Sequence, residues 1–259
     1  MLPWLTFESK RAFFLLFASL LVMTSLVLHG ETLPLVIASS EGPPHMIDDV
    51  HHGIDLDIVE AVLRRLGYEV DYQFMGLKRA GREVEMGHVD VSAPIFMQSD
   101  VVGSYISSAI VQYQPMVFSL KKSNLAPASI LDMQGHSVVT FLGAPGYFGA
   151  DFGLLTEGDN YKELTDMSVI PELLVKGRYE FAVLDKYIFY YFYRFNEKNK
   201  DVSIFTEHKL IAPVSASAAF HDADLRDAFN RELVEFMLSE EYKQIFERYL
   251  GTALFSSEP

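Results

Sequence analysis

The stretch from Gly53 to Asp90 constrains the fold of this chain more than any other part. Its first half is predicted to be a helix, because apolar residues recur on one helical face at Leu56, Val59, Leu63 and Leu66. Residues 68–74 then alternate between apolar and polar, the period of a half-buried strand. A second helix over 77–86 and a strand over 89–93 follow. This order predicts a parallel sheet with crossover helices.

The alternation of strands and helices continues along the rest of the chain. Further strands are predicted over 33–38, 116–118, 137–141, 181–184 and 209–220, and further helices over 168–176, 186–195 and 225–251, the last interrupted near Ser239. Apolar residues make up 49% of the 259 positions, which is enough for one large domain or two lobes. The sequence therefore predicts an α/β fold.

The amino-terminal segment is typical of a secretory signal peptide. Lys10 and Arg11 precede an uncharged apolar run over 12–28. We expect residues 1–30 to be a signal peptide, with a retained N-terminal anchor as the alternative, because the run approaches the length of a membrane span. In both cases the rest of the chain is predicted to lie in the periplasm. Residues 252–259 are expected to form a short tail.

Composition and missing motifs exclude several function classes. The net charge of −14 argues against nucleic acid as a partner, since phosphate binding needs clustered Lys and Arg. The chain has no cysteine and lacks the loops that bind dinucleotides or nucleotide phosphates. His51 and His52 follow His45 within one loop, without the spacing of a defined metal site. We expect no metal, no cofactor and no enzymatic activity.

Several polar and aromatic residues follow predicted strands directly. Glu41 and His45 come after the first strand, Phe96 after the strand at 89–93, and Asp185 at the tip of the strand at 181–184. Ligands of open α/β sheets bind at the carboxyl ends of the strands. These residues are candidates for a binding site, although Glu41 and His45 can also be ordinary polar loop residues.

Six short motifs occur in order between residues 32 and 251. They are GIDLD (53–57), RRLGYEV (64–70), MGHVD (86–90), KGRYEFAVLD (176–185), LRDAFN (225–230) and YKQIFERYLG (242–251). In this order they resemble family 3 of the bacterial periplasmic solute-binding proteins, the polar-amino-acid type. The resemblance implies a two-lobed type II fold, in which each lobe is a sheet flanked by helices and two hinge crossovers join the lobes. Lobe 1 would comprise 32–117 and 211–251, and lobe 2 would comprise 118–210.

The resemblance also implies roles for individual residues. Asp185 matches the acidic residue that takes the ammonium group of a ligand, and His45 follows Pro43-Pro44 where the family has an aromatic ring. Gly143-Ala144 stands where the family has Gly-Thr, so the hydroxyl is missing. The arginine that would hold a ligand carboxylate is also missing, since no arginine occurs between Arg82 and Arg178. An α-amino acid held in the usual way is therefore not expected.

Two further residues complete the predicted site. One subgroup of the family, whose members often stand without an obvious transporter, has Trp-Lys-Arg-Ala where this chain has Leu77-Lys78-Arg79-Ala80. Arg79 is thus either an alternative anion ligand or a solvated helix cation. Tyr147, like Phe96, is expected to be an aromatic wall of the cleft.

The resemblance predicts capture of a small polar or cationic, amino-acid-like solute in the cleft between the lobes. The partners would be that solute and an inner-membrane ABC permease or sensor, and we expect a monomer. One alternative is a sensory or interaction domain whose ligand site has decayed, which the missing arginine and threonine favour. Another is a glycan-acting enzyme with Glu41 and Asp185 as an acid/base pair.

Overall fold

The computed structural model describes residues 34–96, 100–158, 160–194 and 200–251. The expected signal peptide or anchor (1–30) and the expected tail (252–259) lie outside the described residues. Among the helices that the structure describes, none is both long and apolar enough to cross a membrane.

The predicted α/β class is confirmed. The strands are β1 (Leu35–Ser39), β2 (Val70–Phe74), β3 (Val91–Ile95), β4 (Tyr105–Tyr113), β5 (Pro115–Leu120), β6 (Val138–Phe141), β7 (Tyr161–Leu164), β8 (Phe181–Asp185), β9 (Phe205–His208) and β10 (Val214–Phe220). The α-helices are α1 (Ile54–Arg65), α2 (Leu77–Glu85), α3 (Ala144–Phe148), α4 (Ala150–Gly153), α5 (Ile170–Val175), α6 (Lys186–Arg194), α7 (Ala223–Met237) and α8 (Glu240–Leu250). Short 3-10 turns cover Asp48–Val50, Lys121–Ser123, Leu131–Met133, Leu154–Glu157, Met167–Val169 and Val202–Ile204.

The first sheet has the strand order β2-β1-β3-β10-β4. β1 is parallel to both β2 and β3, and β10 enters between β3 and β4, antiparallel to each. The carboxyl ends of β1, β3 and β4 therefore lie at one edge, which we call the carboxyl edge of this sheet. The apolar face of α1 joins α7 and α8 in the core that covers the sheet. Gly67 follows the end of α1 with φ +90°, a left-handed cap conformation that glycine adopts readily.

The second sheet has the strand order β7-β6-β8-β5-β9. β6 is parallel to β7 and β8, whereas β5 is antiparallel to β8 and β9. Its core contains several aromatic rings, with Phe118 stacked on Phe189 at 3.8 Å between ring centroids. Phe189 lies on α6, so the predicted helix over 186–195 is confirmed for its described part and packs into this core.

The chain passes twice between the two sheets. Gln114 alone joins β4 to β5, and residues 209–213 join β9 to β10. β4 ends at the carboxyl edge of its sheet, while Pro115, at the start of β5, pairs with Asp185 at the carboxyl edge of the other sheet. The two carboxyl edges are therefore adjacent, as a site between two lobes requires. The change of sheet occurs at Gln114, whereas the predicted lobe boundary follows residue 117.

One predicted strand is too long. The sequence predicts a strand over 209–220, but β10 begins only at Val214. Pro213 has no backbone N–H to donate to a neighbouring strand, so the residues before Val214 can serve as a crossover instead.

Candidate functional site

The loop that carries His45 is folded onto the start of α1. The backbone N–H groups of Ile54 and Asp55 donate to the carbonyl oxygens of Pro44 and His45, at 2.9 and 3.1 Å. These bonds satisfy two of the N–H groups that a helix N-terminus leaves without partners. Gly53 permits the close approach, because a Cβ atom there would lie 2.2 Å from the His45 carbonyl oxygen and its φ is +146°. The loop thus holds His45 over the first turn of α1.

The ring of His45 is completely buried and faces a carboxylate at each nitrogen. Nδ1 lies 2.8 Å from Oδ1 of Asp55, and Nε2 lies 3.5 Å from Oδ1 of Asp185. The ring stacks on Tyr113 with 3.9 Å between centroids, and the Tyr113 hydroxyl donates to Oδ2 of Asp55 at 2.9 Å. Asp55 belongs to the first lobe and Asp185 to the second sheet, so His45 connects the two.

The carboxylates keep the ring of His45 charged. Burial alone would lower the pKa of His45, but the negative charge of Asp55 and the hydrogen bonds to Asp185 and Asp55 raise it to about 9. The ring is therefore an imidazolium at neutral pH, and both of its nitrogens are donors.

Asp185 is buried at the junction of β8, α6 and the first crossover. Its Oδ2 accepts the backbone N–H of Gln114 at 2.6 Å. Its Oδ1 accepts the backbone N–H groups of Tyr187 and Ile188 at 2.8 and 3.2 Å, in the manner of a helix N-cap. Asp185 therefore anchors the start of α6 and the crossover, in addition to facing His45.

The other predicted residues of lobe 1 are more exposed. Glu41 is exposed, just beyond β1. Phe96 is half-buried and packs edge-on against Tyr113 at 5.3 Å, so it joins the group around His45. Arg79 lies on α2 with 65% of its side chain exposed, and its Nε donates to Glu83 at 3.1 Å, as a solvated helix cation would.

The other predicted residues of lobe 2 lie at the carboxyl end of β6. The backbone N–H of Gly143 donates to Oε2 of Glu163 at 2.7 Å. Ala144 is fully buried and belongs to a core cluster of the second sheet, whereas Tyr147 is 61% exposed. Tyr147 is thus presented to solvent at the edge where the two sheets meet.

Sequence reasoning missed four residues of this region: Asp55, Tyr113, Gln114 and Glu163. Asp55 lies in the motif GIDLD (53–57), and nothing in its spacing pairs it with His45. Tyr113 and Gln114 directly precede Pro115, and this proline was the available sequence signal for a crossover, because the residue before a proline is kept extended.

The neighbouring histidines, His51 and His52, have partners of their own, which differ from the carboxylates that His45 contacts. The ring of His51 stacks on Phe74 with centroids 5.6 Å apart, and Nδ1 of His52 lies 3.0 Å from Asp57. Within the described part of the chain, no three His, Asp or Glu side chains are arranged to hold a metal ion.

The chain is similar to several solved structures. The ligand-binding core of GluR0 in complex with L-glutamate has a TM-score of 0.65 at 17% identity, covering 86% of this chain and 100% of that one. A histidine kinase sensor domain with similarity to periplasmic binding proteins has a TM-score of 0.61 at 18% identity, with 85% and 96% covered. Substrate-binding domain 2 of Lactococcus lactis GlnP, in an open conformation, has a TM-score of 0.60 at 21% identity, with 86% and 97% covered. These likenesses confirm the two-lobed periplasmic-binding-protein fold.

Sequence comparison identifies the family. No curated protein matches the chain. The model of the bacterial extracellular solute-binding proteins, family 3, matches residues 35–252. The chain therefore belongs to this family, as its motifs indicated. The family and fold are those of binding proteins that are not enzymes, which confirms that prediction.

Proposed function

We propose that this family 3 protein captures a small polar solute between the carboxyl edges of its two sheets, in the periplasm, for an ABC permease or a membrane sensor. One observation carries the proposal. The crossovers at Gln114 and 209–213 bring the two carboxyl edges together, and His45 of one lobe meets Asp185 of the other there. A solute that contacts both edges would stabilise the closed arrangement of the lobes.

The site would consist of groups from both edges. Glu41 and Phe96 would contribute from the first lobe, and Tyr147 with the backbone of 143–144 from the second. Aromatic and apolar walls exclude water, while a few polar groups fix the orientation of a ligand. Arg79 would contact a solute only at the outer rim, since it is exposed and already paired.

Asp185 does not favour a cationic solute over other polar solutes. The expected cationic, amino-acid-like solute depended on this carboxylate. Asp185 is only 6% exposed and already accepts three backbone N–H groups, besides facing His45. We therefore propose the broader class of small polar solutes.

Both routes of delivery have precedents among proteins of similar fold. GlnP domain 2 is a substrate-binding domain, and the histidine kinase domain is a sensor. An uptake assay separates the two routes for this chain. Deletion of its gene should reduce uptake of the radiolabelled solute if a permease is the partner, and should change signalling but not uptake if a sensor is.

A second candidate is a sensory or interaction domain whose ligand site has decayed. The observation in its favour is that side chains of the chain itself already contact the two groups that the family resemblance assigns to ligand binding, the carboxylate of Asp185 and the N–H of Gly143. Asp185 faces His45, and the N–H of Gly143 donates to Glu163. Such a domain would bind no small solute at all.

A thermal-shift screen of the purified protein against a metabolite library tests the proposal, with hits measured by calorimetry. A true ligand should raise the melting temperature, because it binds only the folded state. Tyr147→Ala should weaken the binding of that ligand. Tyr68→Ala is the matched control, since Tyr68 is also exposed but lies before β2, at the opposite edge of the first sheet. Equal binding by both variants would place the solute elsewhere, and no hit would favour the second candidate.

A further inference from the structure

The cleft contains a positive charge that belongs to the protein itself. His45 is buried, protonated at neutral pH, and lies between Asp55 and Asp185. A buried carboxylate needs a counter-charge or several hydrogen bonds to remain ionised. His45 supplies the counter-charge, so Asp185 does not need a cation from a solute.

The hydrogen-bonding capacity of Asp185 is also used within the chain. A carboxylate has about four acceptor positions. Four donors surround this one: the backbone N–H groups of Gln114, Tyr187 and Ile188 at 2.6, 2.8 and 3.2 Å, and Nε2 of His45 at 3.5 Å. Three of these donors meet Oδ1 and one meets Oδ2, and Asp185 is only 6% exposed, so a solute ammonium would reach the carboxylate only by displacing groups of the chain, of which His45 makes the longest contact.

In lobe 2, the backbone N–H of Gly143, which matches the group that would meet a solute carboxylate, is occupied by the negatively charged side chain of Glu163. The N–H of Gly143 donates to Oε2 of Glu163 at 2.7 Å, and Oε1 of Glu163 accepts the Tyr161 hydroxyl at 3.0 Å. A solute carboxylate at this N–H would have to compete with an anchored carboxylate of the chain. Two like charges held side by side repel each other.

We propose that His45 and Glu163 determine the specificity of this cleft by occupying its cation and anion positions, so that its solute is a small uncharged polar molecule. This inference rests on the proposed function. The exposed groups left at the two edges fit such a molecule: Leu142 and Tyr147, at 62% and 61% exposure, offer apolar surface, and Glu41 accepts hydroxyl or amide donors. Glu41 itself selects charge weakly, because water screens it.

The first test compares solutes of matched size and different charge by calorimetry at pH 7. One set is L-alanine, lactate and lactamide, and another is L-glutamine, glutarate and glutaramide. The uncharged member of a set, or an uncharged hit from the library, should bind at least about tenfold tighter than its charged counterparts. Tighter binding of the zwitterion or the anion of a set, or of a charged hit from the library, would overturn the inference and leave the proposed function standing. Binding of nothing in any class would overturn both.

The second test removes the built-in charge. His45→Gln keeps a side-chain donor but loses the positive charge, so Asp185 should become a cation site. We expect methylguanidinium to bind this variant at least about tenfold tighter than it binds the unaltered protein. The matched control is His136→Gln, which removes a histidine paired with an exposed carboxylate, Glu180, at 3.0 Å. No gain in His45→Gln, or an equal gain in both variants, would overturn the inference.

A pH experiment keeps the inference testable if His45→Gln does not fold. The groups that face the ring of His45 are Asp55 from α1, Asp185 from β8, Tyr113 from β4 and Tyr187 from α6. Above pH 9 the ring becomes neutral, while methylguanidinium keeps its charge. The unaltered protein should bind methylguanidinium at pH 10 and not at pH 7. Equal affinity at the two values would contradict a role for the His45 charge.

Discussion

His45 should make the stability of this protein depend on pH above neutrality. Its pKa is raised from 6.5 to about 9 in the folded chain, so the folded state binds the proton more tightly than the unfolded state. The stabilisation is complete below the unfolded pKa and is lost as the pH rises through the folded pKa. A shift of this size corresponds to about 3 kcal/mol, most of which should disappear between pH 7 and pH 10.

Urea unfolding followed by circular dichroism at several pH values measures this loss. The difference in unfolding free energy between the unaltered protein and His45→Gln should shrink by about 2–3 kcal/mol from pH 7 to pH 10. Tyr113 should not add to the effect, because burial and the charge of Asp55 raise the pKa of its hydroxyl well above the ordinary value. His136→Gln serves as the control and should follow the unaltered protein.

A constant difference between the two proteins across this pH range would refute the reasoning. It would mean that the ring of His45 is already neutral at pH 7, and that a hydrogen bond to Asp55 from an uncharged ring accounts for the contact. Equal slopes of free energy against urea concentration in the two proteins are needed for the comparison, since a changed slope signals a changed unfolding reaction.

Four further substitutions test the packing of the fold. Gly53→Ala should cost about 2 kcal/mol or more, because the new Cβ would lie 2.2 Å from the carbonyl oxygen of His45, whereas Gly81→Ala, in a helix and with ordinary contacts, should stabilise by about 0.5–1 kcal/mol. Tyr249→Phe removes a 2.8 Å hydrogen bond to a buried carboxylate of α1 and should lower the unfolding free energy by about 1–2 kcal/mol. Phe189→Ala should cost about 3–5 kcal/mol in the same urea assay, and a loss below 1 kcal/mol would contradict its stacked position in the core.

Elements whose pattern is local were predictable from sequence. The apolar stripe from Leu56 to Leu66 indicated α1, and the alternation over 68–74 indicated β2. The break near Ser239 is where the structure separates α7 from α8, with the Ser239 side chain accepting from the N–H of Tyr242. In each case the residues that determine the element lie within a few positions of one another.

Features that depend on distant residues were not predictable in the same way. β10 lies between β3 and β4, which precede it by more than a hundred residues, so its short apolar pattern carries no information about its neighbours. The same holds for His45. Both His45 and Asp185 were candidate site residues, but the burial of His45 and its direct contact with Asp185, 140 positions away in the chain, depend on the fold and not on the local sequence.

An aspartate at the tip of β8 is needed for structure whatever the cleft contains. It caps α6 through the N–H groups of Tyr187 and Ile188. It also accepts the N–H of Gln114, the single residue between β4 and β5. Finding Asp185 in the sequence therefore does not by itself indicate that a solute contacts it. The residue at position 45 determines whether Asp185 can bind a solute cation. An aromatic ring there would leave the carboxylate available to a solute cation, whereas a protonated His45 already neutralises it.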